Sequence, residues 1–128
     1  MVTATENSWV DSIKTAWAFA RPLIEPACQY GEYSIEMIER KVLNQKWQLW
    51  TGEKSACITE IYSSDLGRCM SMPYCGGDLD ELIQNYDRME EFARDMGCVQ
   101  LFLMGRPGWL RVFKDKGFKA ENIIGKRL

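Results

Sequence analysis

The 128-residue chain contains no histidine. That absence removes Ser-His and Cys-His nucleophile pairs, and every zinc site with an imidazole ligand. Acid–base chemistry is left to carboxylates, Tyr, Cys, Lys, water or the substrate itself. No apolar run approaches the ~18 residues of a spanning helix, so no membrane segment is expected. Met1 to Ser8 is polar, carries Glu6 and has no basic stretch, which does not read as a signal peptide. Excess basic charge is missing too: 16 Lys+Arg against 18 Asp+Glu give a net charge of −2. A dedicated nucleic-acid surface would carry a basic stripe, so none is expected. The five cysteines, Cys28, Cys57, Cys69, Cys75 and Cys98, form no C-x-x-C pair. Their odd number and spacing suggest neither a zinc cluster nor a disulfide frame. They read as free thiols of a reducing cytoplasm, at least three of them largely buried, with no disulfide expected.

What is present is globular. Hydrophobic residues make up 46% and charged residues 27%, enough for one ordinary domain with a real core. No linker, low-complexity tract or repeat divides the chain. The N-terminal region, 1–33, reads as helical. Ser8 is the candidate N-cap, and Trp9, Ile13, Ala16, Trp17 and Ala20 recur at helical spacing. Pro22 should end or kink that helix at Arg21. A second helix should start at Ser34, with Ile35, Ile38 and Val42 on its apolar face.

The middle reads as an antiparallel meander. Trp47 to Thr51, Ser55 to Ser63 and Arg68 to Tyr74 are strand-like and are separated by the turns Gly52-Glu53-Lys54 and Ser64-Asp65-Leu66-Gly67. Period-two alternation puts Met70, Met72 and Tyr74 on one face. Asp78 followed by Glu81 resembles a capping box, and an apolar stripe from Leu79 to Met96 marks a long helix that Gly97 ends. Cys98 to Met104 should be a strand covered on both faces. A short helix should follow Pro107 and stop at Gly117, and Phe118 to Leu128 should return as a last strand. The fold class is therefore α/β (α+β): a mixed sheet in which a meander leads into a parallel βαβ unit, with helices on both faces.

Three constellations could carry chemistry. The turn Tyr74-Cys75-Gly76-Gly77-Asp78 precedes a helix N-terminus, where free N–H groups attract anions. The same glycines also suit a tight turn before a capped helix, and the Asp78 carboxylate would compete with a phosphate there. Glu60, Tyr62 and Asp65 lie near a strand end, where a carboxylate could take a proton from an amine. A solvated strand end is the plainer account of them. Arg106, at the carboxyl end of a buried strand, could hold an anionic group.

The order of elements resembles the GNAT superfamily of acyl-CoA N-acyltransferases. Local strings sharpen the likeness. The stretch "CGGDLDELIQNYDRMEEFARDMGCVQLFLMGRPGWLRVFKDKGF", followed by "ENIIGKRL", is similar to a GNAT-like group encoded by bacteriophages and prophages, with its G-R-x-G-W motif. "KWQLW" and "TEIY" fit the same group. The resemblance spans roughly residues 34–128 of one GNAT-like domain covering 1–128. It implies acetyl-CoA or another acyl-CoA as cofactor, no metal, and an amine substrate. It places pantetheine along Ser71 and Met72, and the pyrophosphate at Cys75, Gly76, Gly77, Asp78 and Leu79, with Arg106 nearby. Glu60 and Tyr62 are the candidate catalytic groups. The family's Asn after the buried strand falls on Arg106, and its acid Tyr falls on Phe113, which has no proton to give. Two readings follow. One is a phage-type N-acyltransferase. The other is a non-catalytic GNAT-fold protein acting in the virion, in assembly or on a host protein. Either would work in the host cytoplasm or the particle, and the oligomeric state is left open.

Overall fold

The computed structural model describes residues 4–103 and 109–119, with side chains described at 11–29, 31–103 and 111–119. Helix α1 (Ala4–Ile24) leads through a 3-10 segment (Glu25–Tyr30) to α2 (Ile35–Leu43). Strands β1 (Gln48–Thr51), β2 (Ser55–Ser64) and β3 (Gly67–Gly77) follow, then α3 (Leu79–Asp95) and β4 (Gln100–Leu103). The short helix α4 (Trp109–Phe113) and a 3-10 turn (Lys114–Lys116) come last. The sheet order is β1-β2-β3-β4. The first two pairings are antiparallel and β3–β4 is parallel, bridged by α3, as the alternation pattern and the helical stripe require.

Two cores sandwich the sheet. Trp17, Ala20 and Ile24 of α1 and Ile35, Ile38 and Val42 of α2 cover one face, over Ala56, Ile58 and Tyr74. Leu82, Tyr86, Met89 and Ala93 of α3, with Phe113, cover the other, over Cys57, Met70, Met72 and Cys75. Helices thus lie on both faces. Side chains at i and i+4 on a helix share a side while neighbours on a strand oppose, so each strand feeds both cores. Arg21 ties α1 to α2 through Glu36 at 3.7 Å and Glu39 at 3.5 Å, and the Trp17 indole donates to Glu39 at 2.6 Å.

Several local expectations change. Helix α1 begins at Ala4, so Ser8 lies inside it rather than capping it. The helix also runs past Pro22 to Ile24. Burial of Ala20 and Ile24 against the sheet outweighs the one hydrogen bond that proline removes. Ser34 does cap α2, its hydroxyl accepting from the Met37 N–H at 3.3 Å. Strand β4 is half-buried at all four residues, not covered on both faces, because it is the outer strand among the described residues. Phe118 and Lys119 form no strand. The rest of that expected strand, residues 120–128, lies outside the described residues, as do residues 104–108, which hold the first four positions of the G-R-x-G-W motif, and the Trp109 side chain.

Tyr86, buried in the α3 core, donates its hydroxyl to Glu90 at 2.8 Å. Burial first, then the Glu90 hydrogen bond and charge, push its phenol well above the usual value. Folding therefore favours the neutral phenol. That contribution is complete below the unfolded value near 10 and fades as pH climbs past it toward the higher folded value. Tyr86→Phe should flatten the loss of stability between about pH 10 and 11, read from denaturant midpoints.

Candidate functional site

The site predicted from sequence lies along β3, beyond its described pairing with β4. The β3–β4 register runs from Cys69 opposite Gln100 to Met72 opposite Leu103. Strand β3 continues five residues further, to Gly77, paired with β2 alone among the described residues. A bulge in the β2–β3 pairing falls just after Met72. Ile58 faces Tyr74 and Glu60 faces Ser71, so the single residue Thr59 opposes Met72 and Pro73. Two residues against one bend a strand, and proline, lacking an N–H, is at home in a bulge. The bulge also reverses the alternation. Met70 and Met72 face α3, but Tyr74 crosses to the α1–α2 side. The expectation that all three share a face fails for this reason. Tyr74 then accepts a hydrogen bond from the Tyr33 N–H at 3.2 Å, and burial is the main cause that raises its phenol. Sequence reasoning put Tyr74 in the turn before α3 but missed its place on the α1–α2 side, although Pro73 beside it was the available signal.

Ser71 and Met72 are both buried, on opposite faces, and are the last β3 residues paired to β4 among the described residues. From Pro73 to Gly76 the strand has no partner but β2 among the described residues. Cys75 is buried beneath α3. Gly76 packs against the end of α1, where a Cβ would strike the Leu23 carbonyl. Gly77 has φ +98° and a Cβ there would meet Lys54 and Ser55. Both glycines are thus required by contacts within the chain itself. Sequence spacing could not separate that need from a ligand's.

The N-terminus of α3 is held by acids. Asp78 caps the helix, accepting from the Glu81 N–H at 3.1 Å, and its own N–H donates to the Lys54 carbonyl at 2.9 Å. The Glu81 carboxylate does not close a reciprocal box. It crosses to the turn between β1 and β2, accepting from the Lys54 N–H at 3.0 Å and from the Ser55 hydroxyl. Ser55 is 2% exposed. Glu81→Ala should therefore cost about 2 kcal/mol in a denaturant titration, because a buried hydroxyl and a turn N–H lose their acceptor together.

Glu60 and Tyr62 are both half-buried on β2, opposite Ser71 and Cys69. Alternation sets them on the α1–α2 side of the sheet, next to the bulge. Burial, then the Cys69 thiol and Glu60 charge, raise the Tyr62 phenol, so it keeps its proton near neutrality. Leu79 opens α3 with an exposed side chain. Arg106 lies outside the described residues. Phe113 is 3% exposed, with ring centroids 5.7 Å from Tyr86 and 5.8 Å from Phe118, so it is a core residue.

An acyl-CoA would find two different environments here. Beyond Met72, β3 pairs only with β2 among the described residues, and strand backbone there suits an amide-bearing arm, which can add to a strand by backbone hydrogen bonds. The turn suits a pyrophosphate less well. Glu81 N–H is taken by Asp78 and Leu82 N–H by the Asp78 carbonyl. Asp78 and Asp80 add negative charge beside the remaining Leu79 and Asp80 amides. No group of three or more potential metal ligands exists among the described residues.

No family profile matches the chain, and no curated protein does. Solved structures share its fold. A probable acetyltransferase superposes with a TM-score of 0.62 at 14% identity, covering 84% of this chain and 87% of the other. A ribosomal-protein-alanine N-acetyltransferase from Brucella melitensis biovar Abortus 2308 also gives 0.62 at 14% identity, covering 91% and 94%. A possible acetyltransferase from Clostridium difficile 630 gives 0.53 at 10%, covering 93% of each. At such identities the likeness is one of architecture. The protein's mixed sheet, with helices on both faces, has the fold of GNAT-like acetyltransferases.

Proposed function

We propose that the protein is a GNAT-like acyl-CoA-dependent N-acyltransferase of phage type. The parallel β3–β4 pair bridged by α3, on a fold shared with acetyltransferases, carries this reading. The acyl-CoA supplies the activated thioester. Backbone from Pro73 to Gly76 holds the pantetheine arm, continuing the line of Ser71 and Met72. Cys75 to Leu79, with Arg106, meet the pyrophosphate. Glu60, directly or through water, takes the proton of the amine substrate, and Tyr62 beside it supplies a protonated phenol. The chain acts in the host cytoplasm on an amine.

A calorimetric titration with acetyl-CoA and free CoA, followed by an acetyl-transfer assay, tests the reading. The acids at the turn predict weak binding that is weakest at low salt, where like-charge repulsion is least screened. Asp78→Asn keeps a capping oxygen while removing one charge. It should tighten CoA binding several-fold and change stability by less than ~0.5 kcal/mol. No binding at about 1 mM CoA, for wild type and variant alike, would end the transferase reading.

A second reading is a non-catalytic GNAT-fold phage protein, packaged in the virion or acting in assembly or on a host protein. Three observations favour it. The internal packing of Gly76 and Gly77 accounts for both glycines, Asp78 fills the helix N-terminus, and Phe113 is core. Co-purification with virions, without CoA binding, is its expected signature.

A further inference from the structure

Cys57 and Cys75 are register partners on adjacent antiparallel strands. Both side chains belong to the α3-side core, so they project from the same face of the sheet. Their sulfurs lie 2.7 Å apart. Directly opposed residues in an antiparallel pair have Cα atoms about 4.5–5.5 Å apart, inside the range a disulfide spans, so a bond needs no backbone movement. The three other cysteines stand elsewhere. Cys28 lies at the α1–α2 core, and Cys69 faces the Ser64 hydroxyl at 3.3 Å. Cys98 follows α3.

A cleft reaches Cys57. A cleft of about 230 Å³ opens between β1, β2 and α3, and Cys57 forms part of its wall together with Trp50, Ser55, Leu82, Asn85 and Arg88. Cys75, 7% exposed against 1% for Cys57, is absent from that lining and touches Cys57. The cleft thus reaches the pair through Cys57, with Cys75 in contact as the second thiol.

We propose that Cys57 and Cys75 form an oxidation site in which a small peroxide closes a reversible cross-strand disulfide. Hydrogen peroxide, small and uncharged, enters the cleft. The Cys57 sulfur displaces hydroxide from the O–O bond and becomes a sulfenic acid, and one water leaves. The Cys75 thiol then attacks that sulfur, the S–S bond forms, and the hydroxyl departs with the Cys75 proton as a second water. Two thiols and one peroxide give one disulfide and two waters. Burial and the Cys57 neighbour hold the Cys75 thiol well above its usual range, so it reacts as a resolving partner once the sulfenic acid has formed. A thiol reductant reverses the bond by exchange.

The folded protein is treated with hydrogen peroxide, quenched, denatured and titrated with a thiol reagent, then digested and mapped. The expected result is a fall from five reactive thiols to three, with one cross-linked peptide pair joining Cys57 to Cys75 and lost on reduction. Cys75→Ser should stop the reaction at a Cys57 sulfenic acid that dimedone captures, and Cys57→Ser should leave Cys75 unmodified. Circular dichroism of both variants checks their folding, while the wild-type map stands without them. Five titratable thiols after treatment would overturn the proposal. So would a bridge between any other pair, or dimedone capture at Cys57 in the wild type without a disulfide following.

Discussion

Replacing Gly76 by alanine should lower the stability of the protein by about 3 kcal/mol, the upper end for overpacking a core. The new Cβ would fall on the Leu23 carbonyl oxygen and lie 2.7 Å from its carbon. These are backbone atoms of α1, a helix pinned by Trp17, Ala20 and Ile24, so no flexible side chain can yield. Relief requires moving α1 off the sheet or bending β3 at its pairing with Ala56. For a chain of this size the melting temperature should fall by about 10 °C. Gly97→Ala is the control. Its φ of +79° carries strain, but nothing lies within 4 Å, so only about 1 kcal/mol is expected. Calorimetric scans of both variants decide the matter. A Gly76 variant as stable as the Gly97 one would mean that the glycine serves a ligand and not the packing of α1.

Phe113→Ala should cost about 3–5 kcal/mol, the range for a buried phenylalanine. The ring closes a cluster with Tyr86 and Phe118, whose own rings meet at 5.5 Å, and fastens α4 to α3. Losing it leaves a cavity lined by two aromatics that the short α4 cannot collapse to fill. Edge-to-face ring contacts add to the loss beyond the buried area. Urea midpoints at constant slope would measure it. A cost below about 1 kcal/mol would show that the position is a vacant catalytic slot and not a core site. The GNAT-like resemblance puts the family's acid tyrosine here. A stable, inert phenylalanine would therefore leave Glu60 and Tyr62 to carry any acid–base step.

Much of this architecture was legible in the residue order. The stripe Leu82, Tyr86, Met89 and Ala93 recurs every three or four positions, so α3 and its buried side follow from helical geometry alone. Ser34 and Asp78 announced their helices because a short polar side chain can reach the first free N–H groups of its own segment. The meander was marked by turn residues, and the parallel β3–β4 pairing by the helix between them.

What escaped was whatever depends on atoms distant in the chain. Alternation put Tyr74 on one face with Met70 and Met72, but the Met72–Pro73 bulge, a matter of register with β2, sent it to the other. Pro22 reads as a stop, yet α1 continues because Ile24 has a sheet to bury against. Glu81 looked like half of a local box and instead holds Ser55, 26 residues away. Cys57 and Cys75, 18 apart with no pairing motif, come into contact only through strand register. Periodicity and capping are satisfied within a few residues, so sequence by itself determines the elements and their apolar faces. Register, bulges and close backbone approach are settled by contacts across long loops. Tertiary structure alone therefore decided which groups gather at the opening of β3, and that its two glycines answer to the chain's own packing.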